Sequence, residues 1–349
     1  MQAGSLCYVT IMKKITFITG GTGFVGAYLL RYLVQADARV RALRRADSPM
    51  DLVKDIEDKV EWVEGDILDV PLLETAMDGV DNVYHCAAVV SFDPRDRKHM
   101  MKVNVEGTAN VVNLCLALNI RRLLHVSSIA ALGREADTPD VDETAKWSNS
   151  GLNSSYAISK FKAECEVWRG MAEGLDVIVV NPSMIIGSGF WEKGSTALFK
   201  TIGKGMKHYP AGGTGFVDVR DVARASVALM NSDISGERFI LNGENMSWRD
   251  FMTLTATQLK VPAPTHLIQG LPLEIFWRLE WLRSRLLGTK PVLTRESVRA
   301  TMHTFFYNNT KIREAIGFQF LPIAATVHET AAQFLETYPK GVGADVLTI

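Results

Sequence analysis

Short apolar runs recur along the first half of the chain, with amphipathic stretches between them. The runs at Ile15–Thr19, Arg39–Leu43, Val60–Glu64, Asn82–His85, Leu123–Ser127 and Asp176–Val180 show little alternation. Strands read this way when both faces of their sheet are covered. The stretches Phe24–Gln35 and Met100–Leu118 have helical spacing. Strand–helix–strand repetition predicts an α/β fold built on a doubly wound parallel sheet. After Pro182 the rhythm breaks. A glycine-rich piece, Ala211–Gly215, precedes a predicted helix at Val219–Met230 and a short strand at Arg238–Leu241, which is expected to rejoin the large sheet. From Trp248 onward helical patterns dominate, interrupted by Pro262, Pro264, Pro272, Pro291 and Pro322. The expected organisation is a sheet domain at 12–181, with 216–241 returning to it. A smaller, mostly helical lobe is expected from 182–215 and 242–340. Residues 1–11 read as an extension ahead of a start at Met12. In Leu271–Leu287, the residues Ile275, Leu279, Leu282 and Leu286 fall at helical spacing, with Arg278 and Arg285 elsewhere on the wheel. A core or lid helix with a solvated face is expected there, and a membrane-surface helix is the alternative.

Hydrophobic residues at 47% and charged residues at 22% exclude a disordered or collagenous chain. The net charge of −1 supplies no excess to drive nucleic-acid binding. Cys7, Cys86, Cys115 and Cys165 lie far apart and form no CxxC pair, which predicts neither a metal site nor a disulfide framework. No apolar run approaches the ~18 residues of a membrane span. The opening residues lack the basic region of a signal peptide. A cytoplasmic location is expected.

Thr19-Gly20-Gly21-Thr22-Gly23-Phe24-Val25-Gly26 follows the first strand and opens the first helix. Gly20 suits a tight turn, Gly23 lets backbone approach a pyrophosphate, and Gly26 allows close helix–strand packing. The helix N-terminus then offers N–H groups to phosphates. Coming after a strand and before an amphipathic helix, this loop predicts dinucleotide binding on a Rossmann sheet. The second strand ends Leu43-Arg44-Arg45, where an NAD-binding chain would carry an acid for the ribose 2′-hydroxyl. Two guanidiniums suit a 2′-phosphate, so NADP(H) is favoured, with NAD(H) the alternative. Asp66, followed by Ile67 at the end of the third strand, either accepts from the adenine amino group or caps the next turn.

Tyr156 and Lys160 sit four apart at the start of a predicted helix, on one face. A free tyrosine is a poor acid–base group at neutral pH. A neighbouring ammonium and an oxidised nicotinamide favour its phenolate. Tyr156 can then exchange a proton with a substrate oxygen while hydride moves. Ser128 ends a strand at the ligand-binding edge and can donate to the same oxygen.

These residues resemble the extended short-chain dehydrogenases/reductases, the NAD-dependent epimerase/dehydratase family that includes dihydroflavonol reductases and 3β-hydroxysteroid dehydrogenases. The resemblance runs nearly end to end. It rests on Thr19–Gly26, Gly65-Asp66-Ile67, His85–Ala88, Val103–Thr108, Val126-Ser127-Ser128, Tyr156 with Lys160, Asn181-Pro182-Ser183, Phe216–Ala223 and Tyr307–Lys311. It implies Ser128 as the catalytic serine, five residues before Gly133, Tyr156 as general acid/base, and Lys160 on the nicotinamide ribose. Cys86, Ala87 and Ala88 would form the loop beneath the cofactor, and Asn104 would sit on the helix beside the site. Pro182 and Ser183 would border the nicotinamide amide. A small buried side chain is the preferred reading of Cys86.

Departures narrow the choice. Ser128 is followed by Ile129-Ala130, not by the acid pair of the sugar dehydratases. The Arg-Asp pair with which many nucleotide-sugar enzymes grip a diphosphate is replaced by Thr214-Gly215, leaving Arg220 or Lys204 as substitutes. The leading expectation is an NADPH-dependent carbonyl reductase, or the reverse alcohol dehydrogenase, acting on a small molecule. Val89, Phe92, Met184 and Tyr209 are candidates for an apolar substrate wall or for lobe packing. A nucleotide-sugar epimerase with retained NAD is the alternative. A non-catalytic NADP-binding sensor is the alternative of another class. Helix 100–118 has apolar residues on more than one face, which fits either burial against the sheet or, as the resemblance implies for this helix and the one bearing Tyr156, pairing in a homodimer.

Overall fold

A computed structural model describes residues 14–134, 140–149, 151–269, 271–286 and 294–349. The extension at 1–11, Met12, Leu287 and Pro291 lie outside the described residues, as do the side chains of Pro272, Ile275 and Leu282.

Seven strands form the central sheet: β1 (Ile15–Thr19), β2 (Arg39–Arg44), β3 (Glu61–Glu64), β4 (Val80–His85), β5 (Arg122–Val126), β6 (Val177–Pro182) and β7 (Glu237–Leu241). Their order is β3-β2-β1-β4-β5-β6-β7, and every pairing is parallel. β1 and β6 are buried along their whole length, which is why their sequences run apolar without alternation. Successive residues feed opposite cores. Ile18, Leu124 and Ile178 pack with Tyr28, Leu30, Val222 and Leu229 of helices α1 (Phe24–Gln35) and α4 (Val219–Met230). Phe17, Leu123 and Val177 pack with Val111, Cys115 and Val167 of α2 (Gly107–Ala117) and α3 (Ser155–Ala172). The helix expected at Met100–Leu118 begins earlier, at Arg97, and carries a π-helical turn over Lys102–Glu106 before α2.

The second lobe gathers around Trp191, Phe199, Phe216, Trp248, Phe251 and Phe334. Phe216 and Phe251 stack at 4.3 Å. The strand Gly213–Asp218 does not return to the large sheet. It pairs parallel with Met184–Ile186 and antiparallel with Glu244–Ser247. At Gly215 a Cβ would fall 2.1 Å from Asn242 Oδ1, so any larger residue would have to displace the Asn242 side chain. Of the segment 216–241, α4 and β7 are the parts that pack on the large sheet.

The C-terminal residues lie across α1. Leu347 N–H donates to the Tyr28 hydroxyl (2.7 Å), which donates to Ser188 O (2.9 Å). Trp191 N–H donates to Gly343 O and Asp345 N–H to Gly189 O. In 271–286, Leu279, Trp281 and Leu286 are exposed and Ser284 is buried. Among the described residues no helix is long and apolar enough to cross a membrane.

Candidate active site

The C-terminal ends of the strands converge on one edge of the sheet, where Thr19, Arg44, His85, Val126 and Pro182 stand. The glycine loop turns there. Gly20 has φ +72°, and a Cβ on it would lie 2.7 Å from Ala87 N. At Gly26 a Cβ would lie 2.2 Å from Gly20 O. Gly23 N–H is tied to Gly20 O at 3.0 Å, and Gly23 caps α1 without any side-chain bond. The first amides of α1 are therefore uncapped by side chains, as an anion site requires. Thr22 is buried in the loop, and Phe24 stacks edge-on against Tyr28 at 6.0 Å. Val25 packs on the first core.

The loop after β4 is held from two sides. His85 Nδ1 bonds Thr19 Oγ1 (2.7 Å) and Nε2 bonds Thr108 Oγ1 (2.9 Å). Burial pushes the His85 imidazole down to about 3, which keeps it neutral. Ala87 N–H donates to Thr19 Oγ1 at 3.3 Å, and Ala88 is exposed. Asn104, within the π turn, accepts from Val89 N (2.7 Å) and donates to Val89 O (2.9 Å) and Ser159 Oγ (2.9 Å). Burial pushes the Cys86 thiol up to about 12, the state of an inert side chain.

Half-buried Arg44, the last residue of β2, lies 3.5 Å from Glu64, and exposed Arg45 just beyond the strand lies 3.1 Å from Asp47. Asp66 Oδ1 accepts from Leu68 N–H at 2.9 Å, a turn cap, and Ile67 is buried in the second core. Pro182 ends β6. Ser183 N–H donates to Leu241 O at 2.9 Å, while its buried hydroxyl has no protein partner. An orphaned hydroxyl, an uncapped helix start and a glycine cradle on one strand edge fit a dinucleotide. Among the described residues no group of three metal-ligating side chains occurs.

Ser128, Tyr156 and Lys160 meet on the same edge. Ser154 caps α3 by accepting from Ala157 N–H at 3.1 Å, setting the turn that carries Tyr156. The Ser128 hydroxyl and the Tyr156 phenol lie beside each other. Burial raises the Tyr156 phenol, while the Ser128 side chain and the Arg134 guanidinium pull it back. The Lys160 side chain is buried, and its Nζ donates to Val126 O at 2.9 Å. Burial lowers this ammonium to about 8, against the opposing pull of Glu164 and Cys86.

Of the wall candidates, Phe92 faces Tyr156 edge-on at 6.1 Å. Met184 and Tyr209 pack on the lobe core, with Arg249 over the Tyr209 ring at 5.7 Å. Arg220 is committed elsewhere: it grips Asp218 through Nε (3.1 Å) and NH2 (2.6 Å) and reaches Glu329 at 2.7 Å. Lys204 is exposed. Sequence reading missed two charged residues. Arg134 stands over the Phe305 ring at 5.6 Å, near the buried Tyr307 phenol. Glu164 is buried beneath Ser127. Its only sequence signal is its place one turn after Lys160 on the same helix face.

The family model for the NAD dependent epimerase/dehydratase family matches residues 16–242. The chain is 32% identical to a putative dihydroflavonol 4-reductase of Synechocystis sp., covering 88% of this chain and 90% of that protein. It is 25% identical to cinnamoyl-CoA reductase 1 of Petunia hybrida, covering 94% of each. It superposes on the crystal structure of gox2253 with a TM-score of 0.80 at 30% identity, over 93% of this chain and 98% of that one.

Proposed function

Since the chain belongs to the NAD dependent epimerase/dehydratase family, as an NAD(P)-dependent oxidoreductase of the extended short-chain type, we propose that it reduces a ketone or aldehyde with NADPH. The observation that carries this reading is the placement of the Ser128 hydroxyl beside the buried Tyr156 phenol, at the strand edge that also holds the uncapped glycine loop. A bound nicotinamide would supply the hydride. Ser128 and Tyr156 are aimed to donate to one carbonyl oxygen, drawing charge onto it. Tyr156 then gives up its proton to that oxygen, making the alcohol. Lys160, buried below them, would hold the ribose hydroxyls, and Ser183 the amide. Phe92 would close the site on the Tyr156 side. The committed Arg220 supports a reductase over a diphosphate-gripping epimerase, because its guanidinium is already shared by two carboxylates.

Arg44 and Arg45 would take the 2′-phosphate, exchanging their surface carboxylate partners for a stronger anion. Such exposed pairs are worth at most about 1 kcal/mol, so little is lost in the exchange. Arg44→Asp with Arg45→Asn is expected to move preference from NADPH toward NADH by tenfold or more, about 1.4 kcal/mol. Kinetics with both cofactors check it, and an unchanged ratio would sink the 2′-phosphate role. The reading as a whole is tested by following NADPH absorbance against flavonoid, steroid, simple aromatic and nucleotide-sugar carbonyls. Steady consumption with one class is expected. No consumption with any class, with nucleotide retained on the protein, would point to a recycling epimerase.

A further inference from the structure

Glu164 is a buried carboxylate in a chain segment where the reaction just described needs none. Its Oε2 accepts from Ser127 Oγ (2.7 Å) and Asn181 Nδ2 (2.9 Å). Its Oε1 accepts from Trp168 Nε1 (3.2 Å) and Arg238 NH1 (3.1 Å). Four donors thus reach its two oxygens, from the ends of β5 and β6, from β7 and from α3. A carboxylate buried this deeply is normally expensive, and full hydrogen bonding plus a cation is what offsets the cost.

The three residues at the end of β5 are each held by a different side chain of this group. Lys160 Nζ takes Val126 O (2.9 Å), Glu164 takes Ser127 Oγ (2.7 Å), and Asn181 Nδ2 takes Ser128 O (3.0 Å) while also donating to Glu164. The backbone that presents Ser128 is therefore pinned residue by residue. Glu164 and Lys160 also lie four apart on one face of α3, both with side chains almost wholly out of water.

We propose that Glu164 is a positioning residue for the reduction: it keeps the buried Lys160 charged and fixes the strand end that carries Ser128. This rests on Lys160 and Ser128 having the roles assigned above. The groups around Lys160 leave Glu164 as its counter-charge. His85 and His125 face it from β4 and β5, and burial holds both imidazoles neutral, His125 well below its usual range. Cys86 is a thiol pushed up to about 12. The Lys160 ammonium itself is lowered to about 8, with Glu164 the largest cause opposing that fall. Below that pH it is mostly charged, and above it the charge is lost.

Glu164→Gln keeps the side chain's shape and one acceptor oxygen for Ser127 and Asn181, while it removes the charge and the oxygen that accepts from Trp168 and Arg238. The test is NMR titration of lysine labelled at Cε, with Lys160 assigned by the signal missing from Lys160→Arg. The Lys160 midpoint is expected to fall by about one pH unit or more in Glu164→Gln, while Glu164→Asp restores most of the shift. The alkaline limb of NADPH affinity should move with it. An unchanged midpoint overturns the proposal, whatever happens to activity. Should Glu164→Gln fail to fold, Glu164→Gln with Arg238→Gln removes the stranded cation and gives the same readout. The NMR midpoint needs neither substrate nor turnover. A chain that reduces no carbonyl yet shows the shift would overturn the reductase reading and leave the Glu164–Lys160 coupling standing.

Discussion

Tyr156→Phe is expected to lower kcat by about 10²- to 10⁴-fold, the range that a positioned acid–base group contributes. NADPH affinity should stay within twofold, roughly 0.4 kcal/mol. The ring keeps its edge-on contact with Phe92 at 6.1 Å, so the change removes the hydroxyl and little packing. Ser128 remains as a donor to the carbonyl oxygen. Stopped-flow reduction and a fluorescence titration with NADPH separate the two quantities. A variant that turns over at the parent rate would show that another group supplies the proton. The pH course follows from the same geometry. Because burial raises the phenol, Tyr156 stays protonated through neutral pH in the protein alone and is ready to donate. Reduction should therefore hold across neutral pH and weaken on the alkaline side.

Gly26→Ala is expected to cost about 1–3 kcal/mol of overpacking strain and to weaken NADPH binding tenfold or more. The added methyl would sit 2.2 Å from Gly20 O and 2.8 Å from Gly21 Cα, both backbone atoms that cannot swing away. Gly20 O is also the acceptor that holds Gly23 N–H, so moving it reshapes the whole turn. Calorimetric melting and NADPH titration measure the two effects. Unchanged affinity in a folded variant would show that the loop does not seat the pyrophosphate.

The large sheet was legible because its strands are covered on both faces. Residues such as Val177, Ile178, Val179 and Val180 are all buried, and leave an unbroken apolar run in the sequence. The Tyr156–Lys160 pair was legible for a different reason, the fixed pitch of a helix. Pitch gives the face and not the reach. Nothing in the spacing shows that the lysine's nitrogen ends on Val126 O. The sequence pattern places 216–241 as a whole with the large sheet, whereas residues 213–218 pair elsewhere. The pairing of Gly213–Asp218 with Glu244–Ser247 and Met184–Ile186 is set by tertiary contacts that no pattern of polarity records. Glu164 was hidden for the same kind of reason. Its partners Ser127, Asn181 and Arg238 stand on three different strands, and only the folded sheet brings them to one carboxylate.

The bond from Leu347 to Tyr28 spans 319 residues. Helix α1 leaves a ribosome well ahead of Leu347, and the amide that completes its buried phenol is synthesised on the order of half a minute later. Until then the patch that Leu347 and Val346 cover stays open beside Tyr28. The amino end can form its sheet early, but its outer surface is sealed only when the far end arrives. Nascent chains halted before Gly343 would thus share one exposed apolar strip along α1, a common handle for chaperones and a common point of failure for truncated products.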